Sequence, residues 1–358
     1  MSTAIALFKR RTVLVGLFIG ALLLSVLGGW FLAHRGASAD QQARPLSSSQ
    51  FLQETADIPL PGGSSRFDYQ ILEPQTGRLY IAHLGAGLVT VFDTKTQKVV
   101  TDIPALPGVH GVLVVPELNR VYASVTDANQ IAVIDSNTLK ILARIPTGSY
   151  PDGMAYDPDD KKLFVSNQFG RTNTVIDVKS EQPVATIELL GEVGNTQYDS
   201  ISNRILAAVQ TRNQLVAVNP KTERVLGHYD LPGCDHPHGL LLDSEHRLAF
   251  VACEDNAKLV VFSLTKMQVQ ATYSVGSNPD VLAFDRDWHR LYVAAESGVL
   301  SIFGLQGETL VKLEDVFVAP KAHTVAVNQQ THQIYLPLEQ VGNRPVLRIM
   351  KSTLQQKS

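Results

Sequence analysis

The sequence predicts an all-β fold: a seven-bladed β-propeller closed by an N-terminal strand that completes the last blade. Three observations predict it. Segments of similar pattern recur about every 42 residues, a period that marks solenoids and propellers. Each copy holds four short β-rich runs parted by Gly, Asn, Asp or Pro, such as "GVLVV", "VYASV", "IAVID" and "ILARIP" in the second. That is the make-up of a four-stranded blade. The seventh copy stops after its third strand, "VLRIM", while "ETADIPLPGG" (54–63), ahead of the first copy, resembles the fourth strands "LARIPTG" and "HYDLPG". Pairing that segment beside the C-terminal strands closes the ring and removes two exposed edges.

Along the chain, residues 1–39 differ from the rest. "MSTAIALFKRR" carries three basic residues, an uncharged apolar run of about 22 residues follows, and Ala37 and Ala39 stand in an A-x-A pattern before Asp40. This order describes an export segment, a cleaved signal peptide or, given its length, a retained membrane anchor. Either places the rest of the chain in the periplasm or outside the cell, and the membrane is touched only through an uncleaved N-terminus. Residues 40–50, "DQQARPLSSSQ", read as a polar linker. The propeller is expected over 51–356. Its copies begin "RLYIAH" (78), "RVYASV" (120), "KLFVSN" (162), "RILAAV" (204), "RLAFVA" (247), "RLYVAA" (290) and "QIYLPL" (333). A helical repeat would need runs of 10–12 residues with a 3.6-residue spacing, which are not present. With 44% apolar and 18% charged residues the 358-residue chain affords a large core. The four basic residues of 1–39 (Lys9, Arg10, Arg11 and Arg35), taken from the total of 31, leave 27 against 34 acidic ones, a net charge of −7. That balance disfavours nucleic acid as a partner.

"VYASVTDANQIAVIDSNTLKILARIPTG" (121–148) resembles the repeat of the YVTN (YncE-like) β-propeller family, whose units read Tyr-Val-x-Asn, a turn, then an apolar run ending Ile-Asp. All seven copies fit, although the Asn of the motif stands only in "FVSN", at Asn167. The resemblance implies an exported propeller and leaves its role open, since such propellers bind ligands or serve in surface layers and interactions.

The repeat sorts the histidines into two sets. At the tip of the first hairpin of each blade stand Gly77, Asn119, Lys161, Asn203, His246, His289 and His332. Gly and Asn there indicate a left-handed backbone position, which His tolerates, so these histidines have a turn role. At the entrance to the first strand stand Asp68, His110, Asp152, Asn195, His238, Asp280 and His323, 42 or 43 residues apart. First strands are innermost in a propeller, so these seven are expected to ring one mouth of the central channel. With blades about 51° apart, His110, His238 and His323 are separated by roughly 154°, 103° and 103°. That near-trigonal set suits a divalent transition metal, Zn, Cu, Fe or Ni, with the aspartates orienting the rings. The same residues also suit a plain turn, as "YPDG" and "HPHG" show.

His83, Gln168, Gln210, Glu254, Glu296 and Glu339, at the ends of second strands, are expected to reach the same mouth, flanked by Arg66 and His236. The two cysteines, Cys234 and Cys253, admit a disulfide, two structural thiols or metal ligation. If 238–243 pairs with 248–253, His238 lies across from Cys253. Two functions follow as expectations. One is a binding propeller holding a metal ion, small ligand or protein partner at the channel mouth. The other is a metal-dependent hydrolase or lyase, lactonase-like or lyase-like, that uses the His/Asp ring with a carboxylate as base. Nucleophile and zinc-protease motifs, G-x-S-x-G and H-E-x-x-H, are missing from the sequence.

Overall fold

A computed structural model describes residues 49–353. The expected export segment (1–39), most of the linker (40–50) and the last three residues of the expected propeller lie outside the described residues. The described strands form seven four-stranded antiparallel sheets. Blade one comprises Gln70–Glu73, Arg78–His83, Leu88–Asp93 and Lys98–Ile103, innermost strand first. Blades two to six repeat that order. Blade seven takes Ala326–Val327, Gln333–Val341 and Arg344–Ser352 from the C-terminal part and its outermost strand, Leu52–Pro59, from the N-terminal part.

Burial explains why the four strands of a blade read differently in sequence. Middle strands are covered on both faces by neighbouring blades, so they are continuously apolar rather than alternating. Leu248–Cys253 and Arg290–Ala295 are buried at every residue. Outermost strands keep one face in solvent, and Arg224–Asp230 and Gln268–Ser274 alternate exposed with half-buried residues. Seven apolar clusters fill the interfaces between blades. One of them joins the last blade to the first through Tyr335, Leu347 and Ile349 against Phe67, Leu79 and Ile81.

Closure is both a ladder and a charge clamp. The N-terminal strand pairs antiparallel with the C-terminal one from Leu52↔Ser352 to Pro59↔Val346. Arg348 of that partner strand grips both carboxylate oxygens of Asp57, at 2.6 and 2.8 Å, and reaches Glu54 at 3.2 Å. The closing strand thus starts two residues before the predicted segment and ends four residues short of it.

Six of the seven hairpin tips have the left-handed backbone expected of them, at Gly77, Asn119, Lys161, Asn203, His289 and His332. Blade five is the exception: Arg247, with φ 56°, takes the position assigned to His246. The second strand there begins at Leu248, so "RL" at 247 is not in register with "RL" at 78. His246 still serves its turn, with Nδ1 2.7 Å from Asp243 Oδ2. His332 stacks on Trp288 at 4.0 Å and bonds Asp285 at 2.8 Å.

Candidate functional site

The entrance of the inner strand carries a β-bulge in blades two to six, a feature that re-aims side chains and is common beside functional sites. In blade five the ladder runs from Pro237↔Cys253 to Leu240↔Val251, so His238 and Gly239 together oppose Ala252. Equivalent bulges hold His110–Gly111, Asp152–Gly153, Gly194–Asn195 and Asp280–Val281. Two expectations are corrected here. Pro237, not His238, lies across from Cys253, because the bulge inserts a residue. Gly194, not Asn195, fills the ring slot of blade four, and Asn195 turns its side-chain oxygen to the Thr196 amide at 2.7 Å. The second bulge residue faces the next blade at close quarters. A Cβ on Gly111, Gly153 or Gly239 would overlap an oxygen of Asp152, Asn195 or Asp280 respectively.

The structure brings the ring together unevenly. His238 Nε2 stands 3.5 Å from Asp280 and 3.6 Å from Asp152. His323 lies 4.0 Å from Asp280 and 3.6 Å from Glu296. Asp68 meets Arg66 at 3.6 Å. The three histidines do not converge on one point. Among the described residues, donor atoms within 4.8 Å of one another occur in His238–Glu254–Asp280 and in Asp280–Glu296–His323. The slots that meet lie one or two blades apart: Asp280 beside His238 and His323, and Asp152 beside His238. His110 instead satisfies itself locally, with Nδ1 2.8 Å from both the Gly108 carbonyl and Thr126 Oγ1 and Nε2 3.2 Å from the Tyr150 hydroxyl.

The second-strand ends also divide. Glu254, Glu296 and Glu339 occupy equivalent positions at the mouth beside Gln210 and Gln168, which hydrogen-bond each other at 3.1 Å. Glu339 pairs with Lys321 at 3.2 Å, and Glu254 lies 3.6 Å from His236. His83 is one residue out of register. It is buried in the blade, stacked on Phe67 at 4.0 Å and 3.0 Å from Ser65 Oγ, and burial lowers its pKa. Cys234 and Cys253 are joined in a disulfide that ties the entrance loop to the second strand of blade five.

Two aromatic residues complete the mouth. Tyr69 follows Asp68 in chain order and sends its hydroxyl to His238 Nε2, 3.3 Å away, three blades around the ring. Sequence held a signal for it: the corresponding slot is Gly, Val, Thr or Asn in the other blades, so a large ring there must project into the hub. Tyr150 and His236 sit at φ 60° and 56°, where blades two and six carry Gly108 and Asn278. A bulky residue held at positive φ is strained, and such strain clusters at functional sites. Tyr150 packs against His110 and the exposed Phe169, ring centres 5.1 and 4.4 Å away. Behind the mouth runs a channel of about 440 Å³ whose wall includes Val112, Met154, Leu240 and Val281.

Charge at the mouth is unbalanced. Burial pushes the carboxyls of Asp152 and Asp280 above their usual range, and His238 pulls each back. Glu254 is raised for the same first reason. For His238 burial works against protonation, but Glu254, Asp280, Asp152 and Asp68 outweigh it and push its pKa up to about 9. A doubly protonated ring donates from both nitrogens. Gln210 Nε2 lies 2.6 Å from Nδ1, so a ring protonated at both nitrogens requires that amide to turn its oxygen there instead. One carboxylate oxygen on each of Asp152 and Asp280 and Nε2 of His323, all buried, have no hydrogen-bond partner.

Fold and mouth together define a seven-bladed β-propeller whose hub is ringed by acids and histidines at one end. The family model described as a YNCE-like beta-propeller matches residues 75–198, most of blades one to three and the first strand of blade four, in agreement with the resemblance of the repeats. No curated protein matches the chain. Among solved structures, Kuenenia stuttgartiensis hydrazine synthase is similar at 16% identity and a TM-score of 0.68, over 82% of this chain and 97% of that one. The WD40 repeats of RRP9 are similar at 11% identity and a TM-score of 0.70, over 86% of this chain and 100% of that one. At these identities the likeness is one of fold.

Proposed function

We propose that the protein is a binding propeller whose channel mouth receives a cation, either a divalent metal ion or the positively charged group of a small ligand or protein partner. The observation that carries this reading is the buried oxygen Oδ1 of Asp152, which has no partner, in a mouth that also holds Asp68, Asp280, Glu254, Glu296 and Glu339. Buried charges are costly unless paired. Arg66 and His238 offset only part of that charge. The open aromatic pair Tyr150–Phe169 offers a face for the uncharged part of a larger guest.

Export belongs to the same reading, with residues 1–39 as signal or anchor. The Cys234–Cys253 disulfide supports it, because such bonds persist outside the reducing cytosol. Binding is favoured over a metal-dependent hydrolase or lyase because it needs the cation alone, whereas catalysis needs the same cation and a substrate positioned beside it.

Metal analysis of protein purified without a nickel column, followed by equilibrium dialysis against divalent ions and a small organic ammonium, tests the reading. Retention of a cation by the wild type and its loss in Asp280→Asn are expected. A wild type that retains none of them overturns it.

A further inference from the structure

Arg66 precedes the first blade, and its side chain is 39% exposed. Its guanidinium is held by three acids of the mouth: Nη1 by Glu296, Nη2 by Asp280 at 3.9 Å and Nε by Asp68 at 3.6 Å. Asp68 and Asp280 are almost wholly buried. A half-exposed, flexible cation thus sits on deep, fixed anions.

Beneath it lies His323, 1% exposed. Its Nδ1 is 2.9 Å from the Lys321 carbonyl oxygen. A carbonyl only accepts, so Nδ1 carries a hydrogen, with Glu296 3.6 Å away on the same side; in the neutral ring Nε2 then carries the lone pair. That is the tautomer in which backbone-anchored histidines bind metal. Nε2 has no hydrogen-bond partner and stands 4.0 Å from Asp280 Oδ2. A buried nitrogen and a buried carboxylate oxygen that face each other beyond hydrogen-bond distance leave room for a cation to bridge them. Asp280, Glu296 and His323 offer donor atoms within 4.8 Å of one another. Ligands about 2.0–2.2 Å from a tetrahedral zinc stand about 3.4 Å apart, so a small contraction suffices. The other triad is less suited, because both nitrogens of His238 are engaged, by Gln210 at 2.6 Å and Tyr69 at 3.3 Å.

We propose that Asp280, Glu296 and His323 form a divalent-cation site for which the Arg66 guanidinium is a stand-in, so that the ion enters by displacing Arg66 into solvent. One imidazole with two carboxylates suits a first-row divalent ion such as Zn²⁺. The proposal rests on the cation-binding reading and adds the place and the competitor. Arg66 lowers the fraction of molecules ready to bind, and apparent affinity falls by that fraction. Occupancy of the site by Arg66 nine-tenths of the time corresponds to about a tenfold effect.

The test is calorimetric titration of the full chain, without a polyhistidine tag, with zinc chloride. Wild type, Arg66→Gln, His323→Ala, Glu296→Gln and Glu254→Gln are compared, with thermal melts to confirm folding. Arg66→Gln is expected to tighten binding about tenfold, and His323→Ala and Glu296→Gln to weaken it at least tenfold, with Glu254→Gln within twofold of wild type. If His323→Ala does not fold, Glu296→Gln, at the half-buried rim, decides the same point. Binding seen only in Arg66→Gln supports the proposal in its strongest form. Wild-type binding that neither Arg66→Gln nor Glu296→Gln alters, or that Glu254→Gln abolishes, overturns this site and leaves the cation reading standing. Zinc binding to none of the proteins overturns this site, while an ammonium retained in the dialysis would still sustain the cation reading.

Discussion

The protonation of His238 is the most exposed consequence of the geometry. Its pKa is pushed to about 9 by Glu254, Asp280, Asp152 and Asp68, against desolvation. Relative to an ordinary value near 6.5, a rise of about 2.5 units corresponds to about 3 kcal/mol of preference for the charged ring. Because the folded pKa is the higher one, the stabilisation is complete below about pH 6.5 and is lost as pH rises through about 9. His238→Gln removes this dependence and leaves Asp152 and Asp280 without their nearest cation. Urea denaturation of both proteins from pH 6 to pH 10 measures it, and the stability gap is expected to shrink by about 2–3 kcal/mol across that range. Proton NMR gives the second reading: one histidine resonance titrating near 9 in the wild type and missing from His238→Gln. A ring that titrates near 6.5, or a stability gap that does not change with pH, would refute the reasoning.

Three further outcomes are expected. Arg348→Met removes the clamp on Asp57 that closes the ring, and with charge-assisted hydrogen bonds worth about 1.5–3 kcal/mol it should cost about 3 kcal/mol in urea denaturation; a loss below about 0.5 kcal/mol would assign closure to the strand ladder alone. Gly239→Ala drives a methyl into the Asp280 carbonyl and should cost about 1–3 kcal/mol by thermal melt. Gly304→Ala, where the nearest atom would be 3.6 Å away, is the control, and equal costs would contradict the crowding. A thiol count on denatured, unreduced protein should give no free thiol, and Cys253→Ser should lose about 2–4 kcal/mol; two free thiols would show that the bond does not form.

The wheel was readable because a blade's burial is periodic. Middle strands sealed on both faces and outer strands sealed on one leave distinct patterns that recur every 42 residues or so, and "ETADIPLPGG" matches the fourth-strand pattern that the seventh copy lacks. Ring slots at Asp68, His110, Asp152, His238, Asp280 and His323 were legible for the same reason. Bulges were not, because nothing in "HPHG" separates a paired residue from an inserted one, and that ambiguity displaced Asn195 by one position and His238 by one rung. The trigonal histidine set failed for a different reason. Angles around the axis come from counting blades, but contact depends on hub radius and side-chain reach, which the repeat does not encode. His110 turns to Gly108, Thr126 and Tyr150, and acids take the places beside His238 (Asp152 and Asp280) and His323 (Asp280 and Glu296). Arg66 and Tyr69 act across the hub, so their sequence neighbours say little about what they meet.

That a cation sits at the hub is tested most directly by anomalous diffraction from crystals soaked in zinc chloride. The account predicts a peak about 2.0–2.2 Å from His323 Nε2 and from carboxylate oxygens of Asp280 and Glu296, with Arg66 turned outward. A mouth without density, with Arg66 still on Glu296 while zinc appears only on surface histidines, would contradict it.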